Sequence, residues 1–168
     1  MKSLRIALCI LLAAATTAIT FGQSDAAKTF DQLKTLKGNW EGKASNGKDL
    51  KVTFRPTSGG TALMSEILGD EDMITMFHVD NNRVLATHYC GAGNQPRMQA
   101  NMSPDGKTIS FTFVDATNLA TPKTGHMHAL LITMPDADHH SEDWTFVADG
   151  KEVKEHFDLT RTHGSLWI

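Results

Sequence analysis

The feature that most restricts this chain is its punctuation. From Gly38 onward, short runs of strand formers alternate with turn signals at intervals of roughly ten residues. The runs are Asn39–Ala44, Lys48–Pro56, Thr61–Leu68, Met73–Asp80, Arg83–Cys90, Gln95–Met102, Lys107–Asp115, Gly125–Met134, Asp143–Ala148 and Lys151–Arg161. Asn81-Asn82, Asp105-Gly106 and Asp149-Gly150 are two-residue hairpin signals, because these residue types tolerate the positive φ that such turns need. Successive hairpins make a meander, and a meander of ten strands hides its edges by closing on itself. The expected fold is all-β, a ten-stranded antiparallel up-and-down β-barrel. Ahead of it, Phe30, Leu33 and Leu36 recur at helical spacing. They predict a short amphipathic helix over Thr29–Lys37 that closes the barrel and stops at Gly38.

The first residues have the character of a secretory leader. Lys2 and Arg5 precede an apolar run, Ile6 to Ala15, that is short for a bilayer span, and small and polar residues follow. A signal peptide over residues 1–22, cleaved between Thr20 and Ala27, leaves about 145 residues, enough for one domain, expected over residues 28–163. The protein is then expected to be secreted or periplasmic, with no membrane contact once the leader is gone. Cys9 leaves with the leader, so Cys90 stands alone and no internal disulfide can support the fold. A formal net charge of −3 with scattered Lys and Arg argues against a nucleic-acid partner.

Hairpin lengths carry in/out parity from strand to strand, because cross-strand partners share a face. Around Asp105-Gly106, Met98, Ala100 and Met102 meet Phe113, Phe111 and Ile109 on an apolar, inward face. Arg97, Gln99 and Asn101 then face water. A four-residue turn over Gly91–Asn94 puts Thr87 and Tyr89 inside, and Asn81-Asn82 then puts Ile74, Met76 and His78 inside with them. His88, Cys90 and Arg97 face out. Around Asp149-Gly150, Trp144, Phe146, Val153, Glu155, Phe157, Leu159 and Arg161 share the inner face. The run Gly125–Met134 has two comparably apolar faces and is not oriented by its pattern.

Gly38-Asn39-Trp40 after a short helix, with a meander ending in Phe157-x-Leu159-x-Arg161, resembles the calycin superfamily of lipocalins, fatty-acid-binding proteins and nitrobindin-like barrels. The resemblance implies that Trp40 packs against Arg161 at a closed barrel end. Ser45–Gly47 is too short for the helical lid of fatty-acid-binding proteins, so the layout is closest to nitrobindin-like barrels and uncharacterised bacterial secreted lipocalin-like domains.

Several chemistries can be placed on this frame. Met76, His78, Thr87, Tyr89, Met98, Phe111, Phe113, Trp144 and Glu155 would line an apolar pocket with a few polar groups, suited to a small apolar or amphipathic ligand. A filled core is the alternative, and the protein would then be an interaction domain. Nitrobindin-like barrels hold haem through a histidine of the last strand, here His156, which parity turns outward; His78 or His128 would have to replace it. For zinc, His126-x-His128 puts two imidazoles on one strand face. His139-His140 lies in a presumed loop with Asp136, Asp138, Glu142 and Asp143. His88 and Cys90 could form a thiolate pair beside Arg97, but with no third orienting residue the pattern favours a binding protein over an enzyme. An outward patch of Met73, Phe77, Val79 and Val84 would suit a homodimer.

Overall fold

The computed structural model describes residues 23–69 and 72–164. The expected leader lies outside the described residues. Helix α1, Asp25–Lys34, starts four residues earlier than its apolar spacing suggests, because Ser24 caps it: its hydroxyl accepts from Ala27 N at 3.2 Å. Asp25 in the first turn and Lys34 in the last complement the helix dipole. Beyond Lys34 the chain tightens through successive i→i−3 bonds from Thr35, Leu36 and Lys37.

The strands are β1 Gly38–Ala44, β2 Asp49–Thr57, β3 Ala62–Leu68, β4 Met73–Asp80, β5 Arg83–Tyr89, β6 Gln95–Met102, β7 Thr108–Thr117, β8 His126–Thr133, β9 His139–Ala148 and β10 Lys151–Thr162. Each pairs antiparallel with its chain neighbours, and β1 pairs with β10, which closes the barrel. A closed ring leaves no edge strand to template association. At the seam the backbones approach closely: a Cβ added to Gly42 would lie 1.8 Å from the Asp158 carbonyl oxygen, so only glycine fits. Asn81, Asp149 and Gly150 take the positive φ expected of their hairpins.

β9 begins four residues before the expected run, at His139 rather than Asp143. The segment expected to be a loop carrying His139-His140 and Glu142 is therefore strand. Its alternation puts His140, Glu142 and Trp144 in the barrel, each buried.

α1 plugs one end, and Ala26, Thr29, Phe30 and Leu33 are its buried face. Above it, Trp40, Phe54, Phe77, Phe111, Ile109 and Ile132 fill the lower barrel, all essentially inaccessible. The plug is locked by Trp40 and Arg161. The guanidinium lies 4.1 Å from the Trp40 ring centre, and the indole N–H donates to Leu36 O at 2.8 Å. Arg161 Nη1, Nη2 and Nε donate to the carbonyls of Lys37, Thr35 and Ala137 at 2.6, 3.0 and 2.8 Å. Arg161 thereby satisfies carbonyls that the end of α1 and its following turn leave open.

Candidate functional site

The opposite end, ringed by the connections after β1, β3, β5, β7 and β9, is the mouth. One residue of one turn decides which side chains line it. The β5–β6 connection is a three-residue loop, Gly91–Gly93. Cys90 N donates to Asn94 O at 3.2 Å, Gly93 N donates to Cys90 O at 2.9 Å, and Gly93 takes φ 82°. Thr87 consequently pairs with Arg97, and Ala86 with Met98. A four-residue turn would have paired Thr87 with Met98. The slip by one residue inverts β5, and β4 inverts with it through the intact Asn81-Asn82 hairpin.

Four expected pocket residues therefore face outward. Met76 and Thr87 lie in an exterior row with Met64 and Arg97. His78 pairs with Leu85, and Tyr89 is 50% exposed. In their place Thr75, Phe77, Val84, Ala86 and His88 face the core, and each is buried. The expected outer patch does not form: Phe77 and Val84 are core, Met73 is half-buried at the mouth, and only Val79 is exposed. His88 is also parted from Arg97, whose Nε donates to Asp115 Oδ1 at 2.6 Å while its Nη2 reaches Asp115 Oδ2. No thiolate pair flanked by Arg97 is assembled at Cys90, a free cysteine.

The remaining expected pocket residues are inside or at the rim. Met98, Phe111 and Trp144 are buried. Phe113 is half-buried beside a β-bulge at Arg97/Met98 and stacks on His128 with ring centres 5.2 Å apart. A second bulge, between Met127 and Ala129, orients β8: Leu130 and Ile132 face in, opposite Trp144 and Glu142, and Met127 packs against the core. His126 is buried and His128 exposed at the rim. His126 Nδ1 donates to Thr124 O at 2.8 Å, and its Nε2 lies 3.3 Å from His128 Nδ1. Among the described residues, no group of three or more His, Cys, Asp or Glu side chains has the geometry of a metal site.

Polar groups run down the inner wall. Thr75 Oγ1 lies 2.9 Å from His88 Nδ1, and Ser65 pairs with Thr75 across β3–β4. Burial holds the His88 imidazole neutral, with its pKa lowered to about 4. Its ring lies 4.9 Å from that of Trp144. Trp144 Nε1 donates to Glu142 Oε2 at 2.8 Å, and His140 Nε2 lies 3.2 Å from Glu142 Oε1. His140 in turn sits edge-on to Trp40, 4.2 Å between ring centres. Buried polar groups normally find partners, and among the described residues four buried side-chain atoms have none: His88 Nε2, Asn94 Oδ1, His140 Nδ1 and Glu155 Oε1. Alternation through His140-x-Glu142-x-Trp144-x-Phe146 would have revealed the β9 part of this wall in the sequence.

Glu155 opens onto a cleft of about 340 Å³ at the mouth, with Leu50, Ile67, Met73 and Phe157 as its apolar lining and Lys48 and Asp49 at its rim. A larger groove of about 670 Å³ lies alongside. Four charged groups of its wall pair with one another, Lys51 with Glu41 at 3.5 Å and Lys43 with Asp49 at 2.5 Å. Haem does not fit the histidines named for it. His156 faces out between Asp143 Oδ1 at 2.6 Å and Asp158 Oδ1 at 3.1 Å, His78 faces out, and His128 is exposed.

No family model and no curated protein matches the chain. Solved structures share its fold. Rv2717c from M. tuberculosis is 18% identical with a TM-score of 0.55, over 83% of this chain and 100% of that one. A protein of unknown function from the DUF3598 family of Nostoc punctiforme is 11% identical with a TM-score of 0.54, over 77% of this chain. The match takes in 49% of that protein, so the chain spans about half its length.

Proposed function

We propose that this chain is a secreted or periplasmic calycin-like barrel that binds a small amphipathic molecule at its mouth. The leader-like start of the sequence supports the location, and the Trp40–Arg161 pair at the plugged end supports the kinship. The observation that carries the binding reading is Glu155: it lines an otherwise largely apolar cleft, and its Oε1 is buried without a partner. Leaving such an atom unsatisfied costs about 1–3 kcal/mol or more for a charged group, a cost that a ligand would remove. Burying roughly 200 Å² of apolar ligand surface against Leu50, Ile67, Met73 and Phe157 would contribute about 5 kcal/mol before association costs.

The test is saturable binding of N-phenyl-1-naphthylamine, a neutral probe whose fluorescence rises in apolar surroundings. One site is expected, and Met73→Trp, which fills the cleft from β4, is expected to abolish it while the fold persists. Absence of probe binding, or binding unchanged in Met73→Trp, overturns the reading.

A further inference from the structure

The two inward carboxylates of the described barrel are unequally supplied with donors. Two carboxylates, Glu142 and Glu155, stand on the inward face of β9 and β10, opposite Ile132 and Trp144 in their ladders. Glu142 takes the indole N–H of Trp144 and lies against His140 Nε2. Arg161, the guanidinium on that same face of β10, gives Nε, Nη1 and Nη2 to backbone carbonyls at the plugged end. Nothing within the barrel donates to Glu155 Oε1. At the rim, Asp49 is held by Lys43 at 2.5 Å, and Lys48 is the neighbouring cation.

From this imbalance we infer that the ligand has a donor head, an alkylammonium group that Glu155 receives while the tail lies along Leu50, Ile67 and Phe157. This rests on the small-molecule reading above and deepens it. An ammonium offers three N–H groups and a charge opposite to the carboxylate, which makes the strongest class of hydrogen bond at a partly desolvated site. A carboxylate head would bring a second anion against Glu155 with no donor between them, unless it turned outward to Lys48. An alcohol would donate, but without charge assistance.

Competition against N-phenyl-1-naphthylamine separates these chemistries, using octylamine, octanol and octanoate, which share a tail. Octylammonium is expected to displace the probe at a concentration about tenfold lower than either of the others. Glu155→Gln, which keeps the shape and removes the charge, is expected to bring the three ligands close together. Equal displacement by all three, or preference for octanoate through Lys48, overturns the inference and leaves the small-molecule reading standing. So does an ammonium preference that survives Glu155→Gln. If the probe does not bind the unaltered protein, the small-molecule reading itself fails. If Glu155→Gln does not fold, the order of the three ligands on the unaltered protein decides.

Discussion

The two ends of this barrel treat their polar groups in opposite ways. At the plugged end each N–H of Trp40 and Arg161 named above has a carbonyl within 3.0 Å, and the rings and stems around them are buried. Toward the mouth, Glu155 Oε1, His88 Nε2 and Asn94 Oδ1 are buried without partners, against one such atom, His140 Nδ1, beside Trp40 among the described residues, and β-bulges interrupt the ladders of β6–β7 and β8–β9. Satisfied, close-packed groups make an end that holds the fold. Unsatisfied groups beside a cleft store a cost that something else can relieve, which is how binding sites differ from scaffolds. The lesson is a division of labour along the barrel axis.

The largest expected effect tests the scaffold end. Trp40→Ala removes a fully buried indole and the face on which Arg161 rests, and should cost about 3–5 kcal/mol in urea denaturation. Probe affinity at the mouth should be unchanged in whatever fraction stays folded, and a parallel loss of affinity would dissolve the distinction between the ends.

The next effect concerns His88. Its folded pKa, about 4, lies below the ordinary histidine value of 6.5, so between those values the unfolded chain binds more protons than the folded one. Stability should therefore fall as pH drops from about 6.5 to about 4, by on the order of 3 kcal/mol, and His88→Gln should flatten that slope. His156, on the outer wall, works with the opposite sign. Hydrogen bonding to Asp143 is the main influence and raises its pKa; burial opposes it, and Asp158 adds to the rise. Its contribution is complete below the ordinary histidine value and is lost as pH rises through the raised one. It should be small, because the side chain is 44% exposed. Denaturation of the unaltered protein, His88→Gln and Asp143→Asn across pH 4–8 separates the two histidines.

The smallest effect sharpens the mouth itself. Tyr89→Phe on the outer face should leave probe affinity and stability within about 0.5 kcal/mol of the unaltered protein. A larger loss of probe affinity would mean that the β5–β6 turn places Tyr89 within reach of the ligand.

The barrel was legible in the sequence because its evidence is redundant: ten runs, three hairpin signals and a matched Trp40 and Arg161 agree with one another. The lining of the mouth was not, because it hangs on a single turn. Gly91-Ala92-Gly93-Asn94 supports a loop of three residues or four with equal chemical propriety, and the side-chain period of two turns that difference into a complete exchange of faces. His88 and Tyr89 changed places for this reason alone. The start of β9 was hidden differently. Asp136, Asp138, His139, His140 and Glu142 have the composition of a solvated loop, and only tertiary pairing of Glu142 with His140 and Trp144 makes two of them interior residues. Composition carries no signal for polar groups that satisfy one another, and the alternation that His140 and Glu142 share with Trp144 and Phe146 is the trace they leave in the sequence.

The seam at Gly42 has a consequence in time. It joins residues 39–44 to 157–162, so the ring cannot close until β10 has been synthesised and has met β1. Loop-closure entropy must be overcome before these contacts reward it, which makes such topologies slow folders. Until then β1 exposes an unpaired backbone edge beside an apolar face. That interval of incompleteness leaves the chain an open sheet until the barrel locks. Gly42 then serves as the clasp fastened last.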